Sequence, residues 1–217
     1  RALHRRLERR YGPADKPRLD PLDELMLTIL SQSTTDANRD RAYRALRDRF
    51  PDWDAVRTAA RADVEDAIRP AGLWKQKARV LQETLEAILE EQGALELSRL
   101  QAMSDDEVIE YLTRFRGVGV KTAACVLCFS LGRPYMPVDT HVHRVARRLG
   151  LIAPRASAEQ AHQSLNGNGS VPPEFRFSFH IQLVRHGRAV CRASRPACGE
   201  CVLEDLCPRI GVPAARG

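Results

Sequence analysis

Lysine is the scarce residue of this chain. Four occur, at positions 16, 75, 77 and 121, against thirty arginines, so its positive charge is almost entirely guanidinium. Aromatic residues make up only 6% of the sequence. No apolar run is long enough to span a bilayer as a helix. No segment alternates apolar and polar residues over a useful strand length, which argues against a sheet and for a predominantly α-helical fold. A secretory pattern is missing as well. The expectation is therefore an intracellular, soluble protein, with a short leader trimmed before Arg1, and a disulfide framework for the four cysteines between 191 and 207 is disfavoured.

The 217 residues can bury one large core or two modest ones, and 43% hydrophobic with 29% charged residues describes a globular chain. A formal charge of +6 and a pI near 9.2 suggest an anionic partner. Nucleic acid ranks ahead of a membrane surface, because no basic amphipathic helix with aromatics stands out. Periodicity and breakers predict helices over 2–11, 22–30, 53–60, 62–69, 74–91, 157–165 and 173–187, with connectors over 12–21 and 166–170. A further helix carries Ala42, Leu46 and Phe50 on one face, after a polar cluster from Ser31 to Asp36.

Residues 112–129 organise the rest. Ser104 and Glu107 have capping-box spacing, and Val108, Tyr111, Leu112 and Phe115 follow at helical intervals, in a helix expected to stop at Arg116. Gly117 and Gly119 then supply a tight turn without side chains to block its amides. The next helix begins near Val120, so its unpaired N–H groups and positive dipole end suit a phosphate oxygen. Lys121 lies in its first turn. Arginine would bind phosphate as well but cannot act as an amine nucleophile, so Lys121 is either a nucleophile or a phosphate-contacting surface lysine. Further on, Asp139 opens a helix running through Leu149, where N-capping alone would account for it.

Cys191, Cys198, Cys201 and Cys207 form C-x6-C-x2-C-x5-C, which fits one metal centre. The spacing leans toward a cubane iron–sulfur cluster and leaves zinc open. Cys125 and Cys128 lie on an apolar helix and read as core.

Three stretches together resemble the endonuclease III family of helix-hairpin-helix DNA glycosylases: residues 112–123, the run Val138-Asp139-Thr140-His141-Val142-x-Arg144, and the four-cysteine pattern. His186-Gly187-Arg188, Leu203 to Cys207, Leu30-Ser31, Thr35-Asp36 and Gly72-Leu73-Trp74-x-x-Lys77-Ala78 extend the resemblance over nearly the whole chain. It implies an all-α fold with two helical lobes flanking a DNA-binding cleft. One lobe would be continuous, over 21–131. The other would combine 1–20 with 132–217 and hold a [4Fe–4S] cluster on the four cysteines as structural support.

The implied activity is that of a bifunctional glycosylase and lyase of base excision repair. It would take oxidised pyrimidines from double-stranded DNA and cut 3′ to the abasic site through a Schiff base on Lys121, assisted by Asp139. The resemblance further implies that Gly117, Val118 and Gly119 hold a backbone phosphate, with a monovalent cation on the hairpin carbonyls. Arg195 and His141 would contact DNA, and Leu73 would be an apolar wedge. Ser33, with Gln32 one residue earlier, stands where the family places a gap-filling glutamine, and Arg116 replaces a usual proline. The expected setting is a monomer on damaged or abasic duplex near a bacterial nucleoid, without a membrane. Alternatives are a mismatch glycosylase acting on adenine or thymine, against which Lys121 argues; a lesion-binding paralogue without useful catalysis; and a zinc-stabilised binding module.

Overall fold

A computed structural model describes residues 1–15, 18–167 and 170–212. The connectors over 12–21 and 166–170 lie partly outside the described residues. The α-helices are α1 (Ala2–Tyr11), α2 (Pro21–Ser31), α3 (Asp36–Arg49), α4 (Trp53–Thr58), α5 (Arg61–Ala67), α6 (Trp74–Gln92), α7 (Asp105–Thr113), α8 (Val120–Cys125), α9 (Thr140–Arg148), α10 (Ala158–Asn166) and α11 (Arg176–Ala189). Among the described residues there is no strand, and no helix is long and apolar enough to cross a membrane. The chain divides into two units, one Arg18–Leu131 and the other Arg1–Pro17 with Gly132–Gly217.

In the continuous unit α2 is the central rod. Asp20 caps it by accepting from the Leu22 N–H at 2.9 Å, and Pro21 occupies the first turn, where a missing N–H costs nothing. Leu25, Ile29 and Leu30 are fully buried, each contributing about 2 kcal/mol, as α2 packs against α3, α6 and α8. Helices α4 and α5 cover the long α6, which Gly93 closes in a left-handed cap at φ 71°.

Both halves of the α7 capping box form. The Ser104 N–H donates to Glu107 Oε2 at 2.7 Å, and the Glu107 N–H to Ser104 Oγ at 3.3 Å. The helix ends at Thr113, three residues earlier than the pattern predicts. Arg114 and Phe115 already make tightened bonds to the Tyr111 and Leu112 carbonyls, which bring the chain round to Gly117 at φ 81°. Beyond α8 the rod continues as a π turn, Val126–Ser130, with the Leu131 N–H on the Val126 carbonyl at 3.0 Å. Thr122 to Leu131 are all buried there, Cys125 and Cys128 included, so this rod has no solvent face.

The discontinuous unit packs α1 and α9 against α11. Leu7, Val142, Val145, Phe179, Leu183 and Leu203 share its core. The N-terminal helix is tied to the far end of the chain: Arg6 pairs with Asp205, and Tyr11 Oη lies 3.0 Å from His186 Nδ1.

Candidate functional site

Within Arg18–Leu131 three exposed segments carry the predicted contact residues. In the hairpin, Gly117 and Gly119 are exposed, while the Val118 side chain is buried and its N–H donates to the Phe115 carbonyl at 3.0 Å. Among the described residues the amides of Gly119, Val120 and Lys121 meet no backbone carbonyl, so they form the open donor end of the rod. Lys121 is the second residue of α8 and half-buried. The Gly119 carbonyl already accepts from Thr122 and Ala123, and the Gly117 carbonyl from Gln32 Nε2 at 3.1 Å. A cation on the hairpin would therefore share these oxygens.

A Cβ on Gly117 would stand 2.9 Å from Val80 Cγ2, whereas one on Gly119 would meet nothing within 4 Å. Gly117→Ala is thus expected to destabilise the protein by about 2 kcal/mol, from the left-handed backbone and the stiff Val80 together. Gly119→Ala should stay within about 0.5 kcal/mol of the parent. Urea unfolding of the two variants checks this.

Gln32 is half-buried and tied to the hairpin, and Ser33 beside it is exposed at φ 51°. Leu73 follows Gly72, both at positive φ (50° and 66°), and is 54% exposed. A left-handed backbone at Ser33 and Leu73 is costly for residues with a side chain. Neither residue type favours that conformation, so the sequence carries no sign of it. Lys77, part of the motif that includes Leu73 but without a role assigned from sequence, is 2% exposed and binds the carbonyls of Leu30 and Ala71.

In the discontinuous unit Asp139 caps α9, its Oδ1 accepting from the Val142 N–H at 2.7 Å. This uses one of its two oxygens for structure. His141, half-buried in the first turn of α9, has its Nδ1 3.1 Å from Arg144 Nη2. Burial lowers its pKa, Arg144 and Arg188 push the same way, and Asp139 opposes them.

The four cysteines of 191–207 are free, half-buried thiols lining one pocket. Burial pushes the thiols of Cys201 and Cys207 above their ordinary value, and the neighbouring cysteines push them the same way. Gathered thiolates therefore require a metal centre's positive charge. A single zinc ion needs its thiolates about 2.3 Å from one point. Four cysteines lining one pocket could serve either that ion or the iron corners of a larger cluster.

The surroundings fix that pocket. Arg148, 2% exposed, donates to the carbonyls of Arg192 (2.7 Å) and Ala193 (2.9 Å) and approaches Cys191 Sγ at 3.3 Å. Arg144 Nε donates to the Cys191 carbonyl at 2.9 Å. His186 Nε2 lies 3.4 Å from Cys201 Sγ, and the Leu203 N–H donates to the same sulfur at 3.4 Å. Arg195, between the first two cysteines, is exposed.

Residues 26–169 match the HhH-GPD superfamily of base excision DNA repair proteins. The chain belongs to that superfamily. Residues 191–207 match the iron–sulfur binding domain of endonuclease III, so the cofactor of the cysteine pocket is a [4Fe–4S] cluster and the zinc alternative falls. The chain is similar to a candidate DNA glycosylase of Arabidopsis thaliana, 36% identical over 193 residues, which are 88% of this chain and 65% of that protein's length. Endonuclease III of Thermotoga maritima is 30% identical over 205 residues, 94% of this chain and 90% of the relative. Among solved structures, a non-covalent endonuclease III–DNA complex aligns with a TM-score of 0.81 at 28% identity, covering 96% of this chain and 93% of that one. This HhH-GPD protein is thus an endonuclease III-like base excision repair glycosylase.

Proposed function

We propose that the protein is a bifunctional glycosylase and lyase that removes oxidised pyrimidines from duplex DNA and then cuts the strand 3′ to the abasic site. Lys121 carries the proposal: one of four lysines stands at the open donor end of α8, beside amides suited to a phosphate. A stacked base is out of reach, so the damaged nucleotide is flipped, at a few kcal/mol that damage partly relieves. The exposed Leu73 enters the stack as a wedge, Ser33 faces the gap, and Arg195 with the Gly117–Gly119 turn holds phosphates.

The Lys121 amine bonds to C1′ as the glycosidic bond breaks, and the base departs with a proton. The sugar ring opens to a Schiff base. Loss of a C2′ proton then expels the 3′ phosphate, and water releases the lysine. Asp139 stabilises the positive charge growing on the sugar. The cluster, when bound, supplies a rigid cross-link for the 191–207 loop. Arg144, Arg148 and His186 hold that loop from the protein side.

Asp139→Asn separates catalysis from capping, because asparagine caps a helix as well as aspartate does. The Asn variant should keep parental stability and lose activity by about 10²-fold or more. Asp139→Ala should in addition lose about 1 kcal/mol. Equal activity in the Asn variant and the parent would leave Asp139 only a cap.

Duplexes containing thymine glycol, an undamaged control and a preformed abasic site test the whole reading. Base release together with an unsaturated-aldehyde 3′ end on thymine glycol is the expected result. Cutting only at the preformed abasic site would leave a lyase without base recognition, and no cutting of either would overturn the proposal.

A further inference from the structure

We propose that Lys77 is a positioning residue, a buried ammonium clamp that locks the Leu73 wedge to the Gln32–Ser33 loop so that the two enter a duplex as one rigid tool. This rests on the reading of Leu73 and Ser33 as duplex-contacting residues.

Two side-chain hydrogen bonds define the clamp. Lys77 Nζ donates to the Leu30 carbonyl at 2.8 Å and to the Ala71 carbonyl at 2.8 Å, while the Lys77 N–H on the Leu73 carbonyl at 2.9 Å is the ordinary first backbone bond of α6. The Leu30 carbonyl is among the last four of α2, which have no partner within the helix, and the chain leaves it directly into Ser31, Gln32 and Ser33. The Ala71 carbonyl lies just before Gly72 and Leu73. One side chain thus holds the roots of both loops. Gln32 Nε2 on the Gly117 carbonyl, at 3.1 Å, carries the tie on to the hairpin.

A lysine is not the residue easiest to bury here. Burying an ammonium is costly. Burial pushes its pKa down to about 8. Lys77 lies in the opening turns of α6, whose dipole disfavours a cation, while its Nζ sits on a last-turn carbonyl of α2, whose dipole favours one. An apolar side chain of the same length would be easier to bury but would leave the Leu30 and Ala71 carbonyls without this donor.

The strain lies where the clamp acts. Among the described residues the non-glycine positions at positive φ are Ser33, Leu73 and Arg209, and the first two follow closely on the carbonyls that Lys77 binds. Such backbones persist only where the surroundings over-determine them. A wedge also meets resistance, because unstacking a base step costs a few kcal/mol, and a loosely rooted leucine would retreat under that load.

The test uses a duplex with an uncleavable abasic-site analogue and 2-aminopurine as the facing base, whose fluorescence rises when it is unstacked. The parent, Lys77→Met, Leu73→Ala and the double variant are compared at saturating protein, with helical circular dichroism and the visible colour of the cluster as controls for folding. The parent should brighten the probe, Lys77→Met should lose about fivefold of that rise, and the double variant should be no weaker than Leu73→Ala.

A folded Lys77→Met with the parental signal overturns the clamp, as do losses that multiply in the double variant or a parent that leaves the probe dark. Should the methionine variant fail to fold, Lys77→Gln, which retains a shorter N–H donor, decides instead. A signal between parent and Leu73→Ala supports the clamp, and the parental signal overturns it. The probe requires no bond cleavage, so a protein inactive on thymine glycol would overturn the functional reading and leave this outcome legible.

Discussion

Lys121→Arg is expected to be as inactive as Lys121→Ala, each at least about 10³-fold below the parent in cutting an abasic duplex. The two substitutions separate the roles that a lysine at this position can take. Arginine retains the charge and reaches a phosphate, but its guanidinium stays protonated and cannot form an imine. If Lys121 only contacted phosphate, the arginine variant would cut nearly as well as the parent. The alanine variant would then bind more weakly, with a salt dependence shallower by about one counterion. If Lys121 is the nucleophile, both variants still bind the duplex and neither cuts. Single-turnover cleavage read beside binding at two salt concentrations distinguishes these outcomes.

Loss of the cluster is the second large effect. Cys201→Ala should give a colourless protein whose 191–207 loop comes away from the core. Leu203, fully buried two residues later, then loses about 2 kcal/mol of burial. Arg148 would be left as a buried cation without the Arg192 and Ala193 carbonyls, a loss of about 3 kcal/mol or more. The exposed Arg195 would lose its fixed position. Duplex affinity should therefore fall with the colour. Cys125→Ala removes a sulfur from the other C-x2-C pair, buried in the α8 rod, and should keep both colour and binding. Visible absorbance, thermal melting and duplex titration of the two variants check the contrast. A coloured Cys201→Ala protein would contradict the ligand assignment.

Local chemistry made much of the molecule legible in its sequence. Ser104 and Glu107 predict their reciprocal cap from spacing alone, and Asp139 its capping of α9. These depend on neighbours within a few residues. The early end of α7 at Thr113 and the π turn of Val126–Ser130 were not legible, because packing of Phe115 and of the buried 122–131 run decides them.

The same division runs through the site. Lys121, Asp139 and the four cysteines stand out by residue type and spacing. The left-handed backbones of Ser33 and Leu73, and the bonds from Gln32 to Gly117 and from Lys77 to Leu30, join residues far apart in the chain. Spacing carries no trace of them.

Borohydride trapping on an abasic duplex, followed by peptide mapping of the cross-linked protein, tests the central claim most directly. Reduction should freeze the imine as a stable amine and place the sugar on the peptide containing Lys121, with no cross-link in Lys121→Ala. A cross-link at another amine, or none from a folded and coloured parent protein that binds the duplex, would contradict the mechanism.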